Sequence, residues 1–414
     1  MAEVLAVPYV NLYTFAVTQR YFYFYVQSER ETLFLNSSLD GGATFTWQSL
    51  GRPPEGVLNH AAATAFFAGE LFSDGSVINQ FYAFGVGIGG DHLWANVSLD
   101  DGKTWNWQNQ GYLPSGAKIN GRPDAVSRQA VKAGFEQDTY CYVLGTDGHL
   151  YVNYSEDTGA TWHGADRGAP PGATLAGGRP STLAYFDGTV QRIYTFAIGN
   201  DNNLYVLYGD GSTWTWLNLG HPPSGGVSNV FRRPTSLTVP LAAAQSIFVF
   251  VIGIDGHLWV NYSGPLASPR SPVTLPGPSF GTGWSWKDLG TPPTTGIYTF
   301  FPNALLVGNE SKAAVFNWNL FVFVVGYDNS LWMISTPNAE LGLSAAWTWQ
   351  PLGAPPYPPS RTVAHLNGAV ASTETEATLA SVQMYVFVLD SLIAIDTCRW
   401  DGSAWTWHEQ KGGP

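Results

Sequence analysis

The chain is poor in charge, and poorest in positive charge. Only 12% of its 414 residues are charged, and 19 Lys and Arg stand against 31 Asp and Glu, for a formal net charge of −12. A protein that binds nucleic acid through its phosphates needs clustered cations that displace counterions. This composition therefore predicts no nucleic-acid partner. Because 45% of the residues are apolar, the chain can offset the entropy of ordering by burial, which also excludes disorder.

Cysteine is nearly absent. Cys141 and Cys398 lie far apart in sequence, and neither has a second Cys or a His at the spacing of metal ligands. We expect both to be free, buried thiols. The sequence predicts no metal site and no cofactor.

The chain has no uninterrupted apolar run long enough to span a membrane as a helix. The longest run covers residues 237–254. Pro240 and Gln245 interrupt it, and Phe248–Phe250 alternate as in a strand. The first residues, Met-Ala-Glu-Val, lack the basic region and apolar core of a secretory signal. We expect no membrane insertion, and a chain that is cytoplasmic or released by a non-classical route.

Aromatic residues and glycine are abundant. Trp, Tyr and Phe make up 14% of the chain, beside 46 Gly and 27 Pro, as in proteins with many short strands and turns. A repeat of about 60 residues is marked by Trp-x-Trp, which usually runs into Leu-Gly-x-Pro-Pro. The seven copies, one degenerate, are Phe45–Trp47, Trp105–Trp107, Trp162–Gly164, Trp214–Trp216, Trp284–Trp286, Trp347–Trp349 and Trp405–Trp407.

Each copy is preceded by an aromatic and β-branched run, the composition of a central strand. The runs are Tyr21–Val26, Phe81–Val86, Tyr140–Leu144, Tyr194–Ile198, Phe248–Ile252, Phe321–Val325 and Tyr385–Leu389. A turn such as Asp147-Gly148-His149 follows the run, and Asp-Gly is typical of hairpins. With an opening strand and the Trp-x-Trp strand, each repeat is expected to be a four-stranded antiparallel meander.

Seven such units predict an all-β fold, a seven-bladed β-propeller with four antiparallel strands per blade. We expect one domain over residues 1–414, with repeats ending near residues 54, 114, 171, 223, 293, 356 and 414. The first strand is expected at about Tyr9 and the last at Trp405–His408, so that no blade is shared between the termini. Two insertions with Pro, Gly264–Gly283 and Ser335–Ala346, are expected to be loops.

A second motif overlies the first. Ser38–Phe45, Ser98–Trp105 and Ser155–Trp162 fit the Asp-box pattern Ser-x-Asp-x-Gly-x-Thr-Trp, and shortened versions lie at Gly209–Trp214 and Trp400–Trp405. We expect a hairpin whose Asp side chain accepts hydrogen bonds from nearby backbone N–H groups while Gly supplies a positive φ. The main expected role of the motif is therefore to stabilise the hairpin.

The repeat, Asp-Gly-His/Asn-Leu-Trp/Tyr followed by Trp-x-Trp-x-x-Leu-Gly-x-Pro-Pro, resembles that of the PLL-type seven-bladed β-propeller lectins over essentially the whole chain. The resemblance implies binding of fucose and O-methylated sugars, with fucosylated or methylated glycans on glycoproteins or glycolipids as partners. The Asp-boxes resemble those of sialidases, which need an arginine triad and a Tyr nucleophile. No Phe/Tyr-Arg-Ile-Pro motif precedes Ser38, and the similar Phe231–Pro234 is a repeat feature. No catalysis is expected.

The tryptophans are the first set of candidate site residues. A sugar site combines an aromatic surface with a few fixed polar groups. The two rings of Trp-x-Trp share one face of the strand, where they could bind sugars at blade interfaces or simply pack between blades. The candidate indoles are Trp105, Trp107, Trp162, Trp214, Trp216, Trp284, Trp286, Trp347, Trp349, Trp405 and Trp407.

Two polar sets also recur with the repeat. One turn position is occupied by His92, His149, Asn203 and His257. These residues could bind sugar hydroxyls or cap the turn, and they lie in different blades, too far apart to share a metal. A strand-opening arginine is expected at Arg122, Arg179, Arg233 and Arg361. A guanidinium there could hold two sugar hydroxyls or bridge blades.

The sequence therefore predicts a multivalent carbohydrate-binding protein with sites at blade interfaces, compatible with a homo-oligomer. A scaffold propeller that binds a protein through one asymmetric patch is the alternative, and a sialidase-like glycoside hydrolase is the third candidate. Gly164, Phe45 and the turn Asp328–Leu331 depart from the repeat. Fewer than seven occupied sites are therefore expected.

Overall fold

The structure is a computed structural model, in which every described element longer than a single turn is a β-strand. It describes residues 3–7, 21–27, 32–38, 44, 46–54, 56, 58–67, 80–100, 102–129, 137–186, 191–228, 233–240, 244–263, 266–267, 283–298, 301–310, 316–337, 346–357, 361–372, 383–391 and 395–409. Within these ranges the one helical element is a 3₁₀ turn, Ile88–Gly90, so the predicted all-β class is confirmed. No helix in the described part is long and apolar enough to cross a membrane.

The chain divides into two compact units, residues 1–184 with 412–414, and residues 185–411. Three antiparallel sheets of four consecutive strands lie in the first unit. The first sheet consists of β1 Glu3–Val7, β2 Tyr21–Gln27, β3 Thr32–Ser38 and β4 Thr46–Gly51. The second consists of β5 Leu58–Phe67, β6 Gln80–Gly87, β7 Leu93–Ser98 and β8 Asn106–Asn109. The third consists of β9 Asp124–Gln129, β10 Gln137–Leu144, β11 Leu150–Ser155 and β12 His163–Asp166.

Four further sheets follow the same order. The fourth consists of β13 Ser181–Phe186, β14 Gln191–Ile198, β15 Leu204–Gly209 and β16 Trp214–Asn218. The fifth consists of β17 Thr235–Pro240, β18 Ala244–Ile252, β19 Leu258–Tyr262 and β21 Ser285–Gly290, with β20 Leu266–Ala267 added on β18. The sixth consists of β22 Asn303–Glu310, β23 Phe316–Val325, β24 Leu331–Thr336 and β25 Thr348–Gly353. The seventh consists of β26 Val363–Ser372, β27 Gln383–Asp390, β28 Ile395–Trp400 and β29 Trp405–Glu409.

Each sheet uses consecutive strands, so no sheet combines the two chain ends, as expected. The first described strand is Glu3–Val7, and the segment expected at Tyr9 lies outside the described residues. Pro8 follows this strand and has no N–H for a ladder. Most of the first Asp-box likewise lies outside the described residues.

Two expected loops contain strand residues. Within Gly264–Gly283, Leu266 and Ala267 pair with β18. Ser335 and Thr336 belong to β24 because their partners in β23 continue the ladder. Most of the remaining insertion residues lie outside the described residues.

In the second to seventh sheets, most described residues of the second strand are buried on both faces. In the first unit, Phe84 of the second sheet and Val143 of the third share one apolar cluster. In the second unit, Phe250 and Val322 share another. Cys141 and Cys398 are free and buried, as predicted. With the core at the second strand, the fourth strand and the hairpin turns carry the accessible polar groups.

Candidate functional site

A polar hairpin turn between the second and third strands recurs in the described sheets. In the third sheet, Asp147 accepts hydrogen bonds from the backbone N–H of His149 at 3.2 Å and from the phenol of Tyr151 at 2.5 Å. Gly145 lets the Tyr151 ring lie against the backbone, because a Cβ there would come within 2.7 Å of the ring. Gly148 takes the positive φ of 79° that closes the turn. These residues fix a carboxylate at the turn.

The turn carboxylate recurs in the fourth, fifth and sixth sheets. In each case an aromatic side chain four residues later donates a hydrogen bond to it. The pairs are Asp201 with Tyr205 at 2.6 Å, Asp255 with Trp259 at 3.2 Å and Asp328 with Trp332 at 3.1 Å.

Two of these carboxylates have a lowered pKa. Burial raises the pKa of Asp147, but hydrogen bonds, that from Tyr151 first, outweigh burial and hold the pKa below its ordinary value. Asp201 has the same balance, with the hydrogen bond from Tyr205 outweighing burial. Both side chains are therefore ionised at neutral pH and can only accept hydrogen bonds.

A histidine of the turn is paired with an aspartate of the fourth strand. His149 Nδ1 and His257 Nδ1 each lie 2.9 Å from a carboxylate oxygen, of Asp166 and Asp288 respectively. Each imidazole is held against a carboxylate through Nδ1, which leaves the other ring nitrogen, Nε2, without a partner in this pair. The imidazoles are 40% and 39% exposed. Each His–Asp pair therefore presents a fixed polar group that a ligand can reach.

In the fourth sheet an amide takes the place of the imidazole. Asn203 Nδ2 donates one N–H to Asp201 at 2.7 Å, which leaves Oδ1 as an acceptor and the second N–H as a donor. The predicted turn position thus carries a polar side chain held by an aspartate in each of three sheets.

His92 has a different environment. Its ring lies 4.0 Å from that of Tyr112, which is 68% exposed, and the neighbouring Asp91 pairs with Lys118 at 3.0 Å. The second sheet therefore departs from the pattern of the third and fifth. Among the described residues, no group of three or more His, Cys, Asp and Glu side chains could hold a metal ion.

The candidate tryptophans are half-buried, and those of the second, third, fifth, sixth and seventh sheets contact the preceding sheet. In four sheets the first indole packs edge-to-face on a phenylalanine, namely Trp162 on Phe84, Trp284 on Phe196, Trp347 on Phe250 and Trp405 on Phe323. The second indole donates Nε1–H to a leucine carbonyl, with the pairs Trp107 to Leu50, Trp286 to Leu219, Trp349 to Leu289 and Trp407 to Leu352. Two first indoles, Trp105 and Trp214, donate Nε1–H to glycine carbonyls of their own hairpins. The contacts between sheets are those of packing, and they leave part of each indole accessible.

The second tryptophan and the paired acid share one face of the fourth strand. Trp286 and Asp288 are two residues apart, and alternate residues of a strand face the same way. Trp216 and Asn218 have the same relation, whereas the third sheet has Gly164 at the tryptophan position. The fifth sheet therefore combines an indole, a His–Asp pair and a turn carboxylate.

Arginines connect neighbouring sheets. Arg179 donates from Nε at 3.2 Å and from Nη2 at 2.7 Å to Asp124, the first residue of β9. The Arg233 guanidinium lies 4.5 Å from the centre of the Phe301 ring. The backbone N–H of Arg122 donates to the carbonyl of Gly178 at 3.0 Å. These contacts match the bridging alternative.

Arg361 has the same place as Arg122, Arg179 and Arg233, two residues before a strand, but its contacts differ. It precedes β26 by two residues and is followed by Thr362 instead of Pro. Its guanidinium binds carboxylates of its own sheet, with Nε 3.2 Å from Asp390 and Nη2 2.7 Å from Glu409. The side chain is 12% exposed.

Two buried carboxylates of the seventh sheet break the repeat. Asp390 stands where the third sheet has Gly145, and Asp396 stands where it has Tyr151. Burial first, and then the charge of Asp390, raise the pKa of Asp396 to about 7. The signal in the sequence is an acid at each of two positions that hold glycine and an aromatic residue in the second to sixth repeats. Both side chains are 0% exposed, so they are not placed to act on a substrate.

The hairpins between the third and fourth strands are closed by their own side chains. Asp157 accepts the backbone N–H of Thr161 at 2.8 Å, and Trp162 Nε1 donates to the Gly159 carbonyl at 3.2 Å. Asp100 accepts a hydrogen bond from the backbone N–H of Thr104 at 2.8 Å in the corresponding hairpin of the second sheet. These groups stabilise the hairpin and leave the turn at the other end of the sheet as the candidate site.

Comparison with known proteins finds no matching family model and no matching curated protein. Among solved structures, the chain is similar to the fungal lectin of Aleuria aurantia, described as a six-bladed β-propeller with a novel fucose recognition mode (15% identity, 86% of this chain, 97% of that chain, TM-score 0.48). It is similar to AofleA from Arthrobotrys oligospora (12% identity, 88% and 92%, TM-score 0.47). It is also similar to an α-L-arabinanase of Penicillium chrysogenum with bound arabinobiose (14% identity, 86% and 97%, TM-score 0.47). At TM-scores under 0.5 these structures give no basis for assigning a function to the chain, which has to be inferred from its own residues.

Proposed function

We propose that the chain is a multivalent carbohydrate-binding protein, in which the seven sheets are the blades of one β-propeller domain spanning residues 1–414. The observation that carries this proposal is the recurrence of one polar arrangement, a turn carboxylate beside an imidazole or amide that an aspartate holds in place, in the third, fourth and fifth sheets. A repeated site is typical of a multivalent lectin, whereas an active site or a docking patch for one protein is expected once.

The chemistry of the fifth sheet suits a sugar. Asp255 can accept a hydrogen bond from a hydroxyl, His257 Nε2 can form one with a hydroxyl, and the accessible part of Trp286 can contact the apolar C–H face of the ring. The groups are partly exposed, as in a shallow site. In the fourth sheet we propose the same roles for Asp201, Asn203 and Trp216.

The sites are unequal. The third sheet lacks the indole at Gly164, and the sixth has Ser330 at the acceptor position. The seventh sheet has Asp390 and Asp396 at the positions of the turn glycine and of the aromatic residue. We therefore assign full sites to the fourth and fifth sheets and a weaker one to the third.

The ligand class follows from the resemblance to PLL-type lectins, which favours fucose or an O-methylated sugar on glycoproteins or glycolipids. No catalytic step is assigned. The third and fifth sheets each place a second aspartate beside the turn carboxylate, but this arrangement is repeated, whereas the carboxyl pair of a glycosidase is expected once.

A glycan array with fucosylated, galactosylated and methylated ligands tests the proposal. We expect binding to one family of glycans, and a partial loss of binding when Trp216 is replaced by Ala. If the protein bound no glycan on the array, and no free sugar at millimolar concentration, the proposal would be contradicted.

A protein-binding scaffold is the second candidate, because one observation favours it. Tyr298 and Tyr327 lie 5.7 Å apart and are 37% and 64% exposed, an aromatic pair without a counterpart at the same positions of the other described turns. An asymmetric apolar patch is typical of a protein partner. Replacing both tyrosines by Ser should leave glycan binding intact if the carbohydrate proposal is correct.

A further inference from the structure

The sixth sheet departs from the repeat at the turn that forms the proposed sugar sites in other sheets. It has Ser330 at the position where the third to fifth sheets have an imidazole or an amide. It gains two exposed aromatic side chains, Tyr298 and Tyr327, at positions that Ser228 and Ile254 occupy in the fifth sheet. The sixth turn therefore presents a different chemistry to a ligand.

A short ladder between this turn and the linker before β22 determines where the two rings lie. Ile297 and Gly326 form an antiparallel bridge, and the backbone N–H groups of Tyr298 and Tyr327 donate to carbonyls of the facing segment at 2.7 and 3.0 Å. Ile297 is buried in an apolar cluster. Because side chains alternate along paired backbone, both tyrosines lie on the side away from this cluster.

A glycine of the linker holds one of the rings in place. A Cβ on Gly296 would come within 2.9 Å of the Tyr327 ring, so the ring can lie this close to the linker only because the facing residue is glycine. In the third sheet the facing position holds Lys118, and the turn residue is the smaller Thr146. The sixth turn is therefore adapted to a large aromatic side chain.

The two rings form a tilted pair that solvent reaches. The ring centres of Tyr298 and Tyr327 lie 5.7 Å apart with 59° between the planes, and the residues are 37% and 64% exposed. Rings at this angle are not stacked, so each keeps a face that the other does not cover. The negative face of an aromatic ring attracts a cation that lies within about 6 Å of the ring centre. One cation can therefore interact with both rings.

A carboxylate lies directly beside the aromatic pair. Asp328 follows Tyr327 in sequence and accepts hydrogen bonds from the backbone N–H of Ser330 and from Trp332 Nε1, each at 3.1 Å. These bonds hold the carboxylate at the turn. Its negative charge favours a cationic ligand at the neighbouring rings.

The described parts of the turn and linker supply no cation that would compete with such a ligand. Residues 289–298 and 326–332 contain no Lys or Arg. The next linker reaches the turn through Val363, whose N–H donates to the Asn329 carbonyl at 2.9 Å. Arg361 of that linker is bound to carboxylates of the seventh sheet.

We propose that Tyr298, Tyr327 and Asp328 form a binding site for an alkylated ammonium group, such as the trimethylammonium group of choline. Methyl groups on the cation contact the rings, and a quaternary nitrogen has no N–H whose hydrogen bonds to water would be lost. The site is separate from the proposed glycan sites, and the two proposals hold or fail independently.

Choline and its neutral carbon isostere, in which a tert-butyl group replaces the trimethylammonium group, are the probes. The two molecules have the same shape and differ in charge. Titrations of the full chain followed by ligand NMR measure both affinities at fixed ionic strength. We expect millimolar binding of choline and at least about threefold weaker binding of the isostere, since an exposed cation–π contact contributes about two- to fivefold per ring.

Paired variants test the rings themselves. Tyr298→Ser with Tyr327→Ser removes both rings, and Tyr298→Phe with Tyr327→Phe is the matched control because it keeps them. We expect the Ser pair to bind choline at least about fivefold more weakly than the wild type, and the Phe pair to retain most of the binding. Thermal unfolding shows whether each variant is folded.

The charge is tested at the turn. Asp328→Asn removes the negative charge and keeps a side-chain oxygen for the hydrogen bonds of the turn. We expect about twofold weaker binding of choline, as for an exposed ion pair, and unchanged binding of the neutral isostere.

The source of the ammonium group is distinguished with vesicles of phosphatidylcholine, which present choline at a lipid surface. Retention of the wild type on the vesicles, lost in the Ser pair, would assign the group to a lipid headgroup. Binding of free choline without retention on vesicles would assign it to a small solute. Both outcomes support the site.

Three results would overturn the proposal. Equal affinity of the wild type for choline and the isostere would show that the tyrosines are an apolar surface without preference for a cation. Unchanged choline binding by the folded Ser pair would place the cation elsewhere. No binding of choline by the wild type at tens of millimolar would remove the site. All three would leave the proposed glycan binding untouched, because that is measured with glycans.

Discussion

At the residue scale, the indole N–H of the second tryptophan forms a repeated bond between sheets. Trp107, Trp286, Trp349 and Trp407 each donate to a leucine carbonyl of the preceding sheet at 3.0 or 3.1 Å. A carbonyl in such a half-buried place loses stability when its donor is removed. The tryptophans therefore hold sheets together, and contact with a sugar can use only the part of the ring that remains accessible.

Replacing Trp286 by Phe should lower the free energy of unfolding by about 1–2 kcal/mol, because the Leu219 carbonyl loses its donor while most of the aromatic packing is kept. Urea denaturation measures this. Trp349→Phe and Trp407→Phe should show similar losses, since each breaks the same bond. Unchanged stability with loss of glycan binding would mean that the indole serves the ligand and not the fold.

Asp396 makes stability depend on pH. Its pKa is raised from 3.8 to about 7 by burial and by the charge of Asp390, against the opposing charge of Arg361. The folded chain therefore holds a proton that the unfolded chain releases near pH 4, and the free energy of unfolding falls as pH rises from about 4 to about 7. We expect Asp396→Asn to remove this part of the decline. Urea midpoints between pH 5 and 8 measure it, and an identical slope in both proteins would contradict the assignment.

At the element scale, the turn between the second and third strands depends on a glycine that faces an aromatic ring. Gly253 precedes Trp259 by six residues, and a Cβ on it would lie 2.8 Å from the indole. The sequence therefore needs glycine and an aromatic residue together. The seventh sheet changes both at once, to Asp390 and Asp396.

We expect Gly253→Ala to lower the free energy of unfolding by about 1–3 kcal/mol, because either the indole or the turn must move. Gly164→Ala is the matched control, since its Cβ would lie 3.6 Å from Pro114, an ordinary contact. Thermal or urea unfolding of the two variants gives the comparison. Equal stability of both would show that the turn can relax at no cost.

At the scale of the whole molecule, affinity should come from the number of sites. One shallow sugar site gains a few hydrogen bonds and one aromatic contact, set against lost ligand freedom and competing water, which leaves binding weak. Several sites on one chain raise the effective concentration of the second contact, with gains of roughly 10² to 10⁴ where the glycan spacing matches.

Calorimetry with free monosaccharide should therefore show high-micromolar to millimolar affinity, and a glycan-coated surface should show slow dissociation. His257→Leu alone should remove only part of the binding to the surface. Complete loss of binding in that variant, with the chain folded, would indicate one unique site.

The sequence by itself determined the strands and the turns. Alternating apolar residues and turn glycines act over a few residues, so the repeat around Trp-x-Trp was enough to predict four-stranded antiparallel sheets. The shared position of His149, Asn203 and His257 was visible for the same reason. The strand expected at about Tyr9 lies outside the described residues and stays a prediction.

Only the tertiary structure decided which groups meet. His149 pairs with an acid 17 residues later and His257 with one 31 residues later, because the strand register is the same while the connection differs in length. Trp107 meets a carbonyl 57 residues away. The network of Arg361 with Asp390 also depends on register, since local sequence does not specify which strand residue will face the guanidinium. Contacts of this kind are set by pairing and packing over long sequence distances, and they decide which polar groups remain free to bind a ligand.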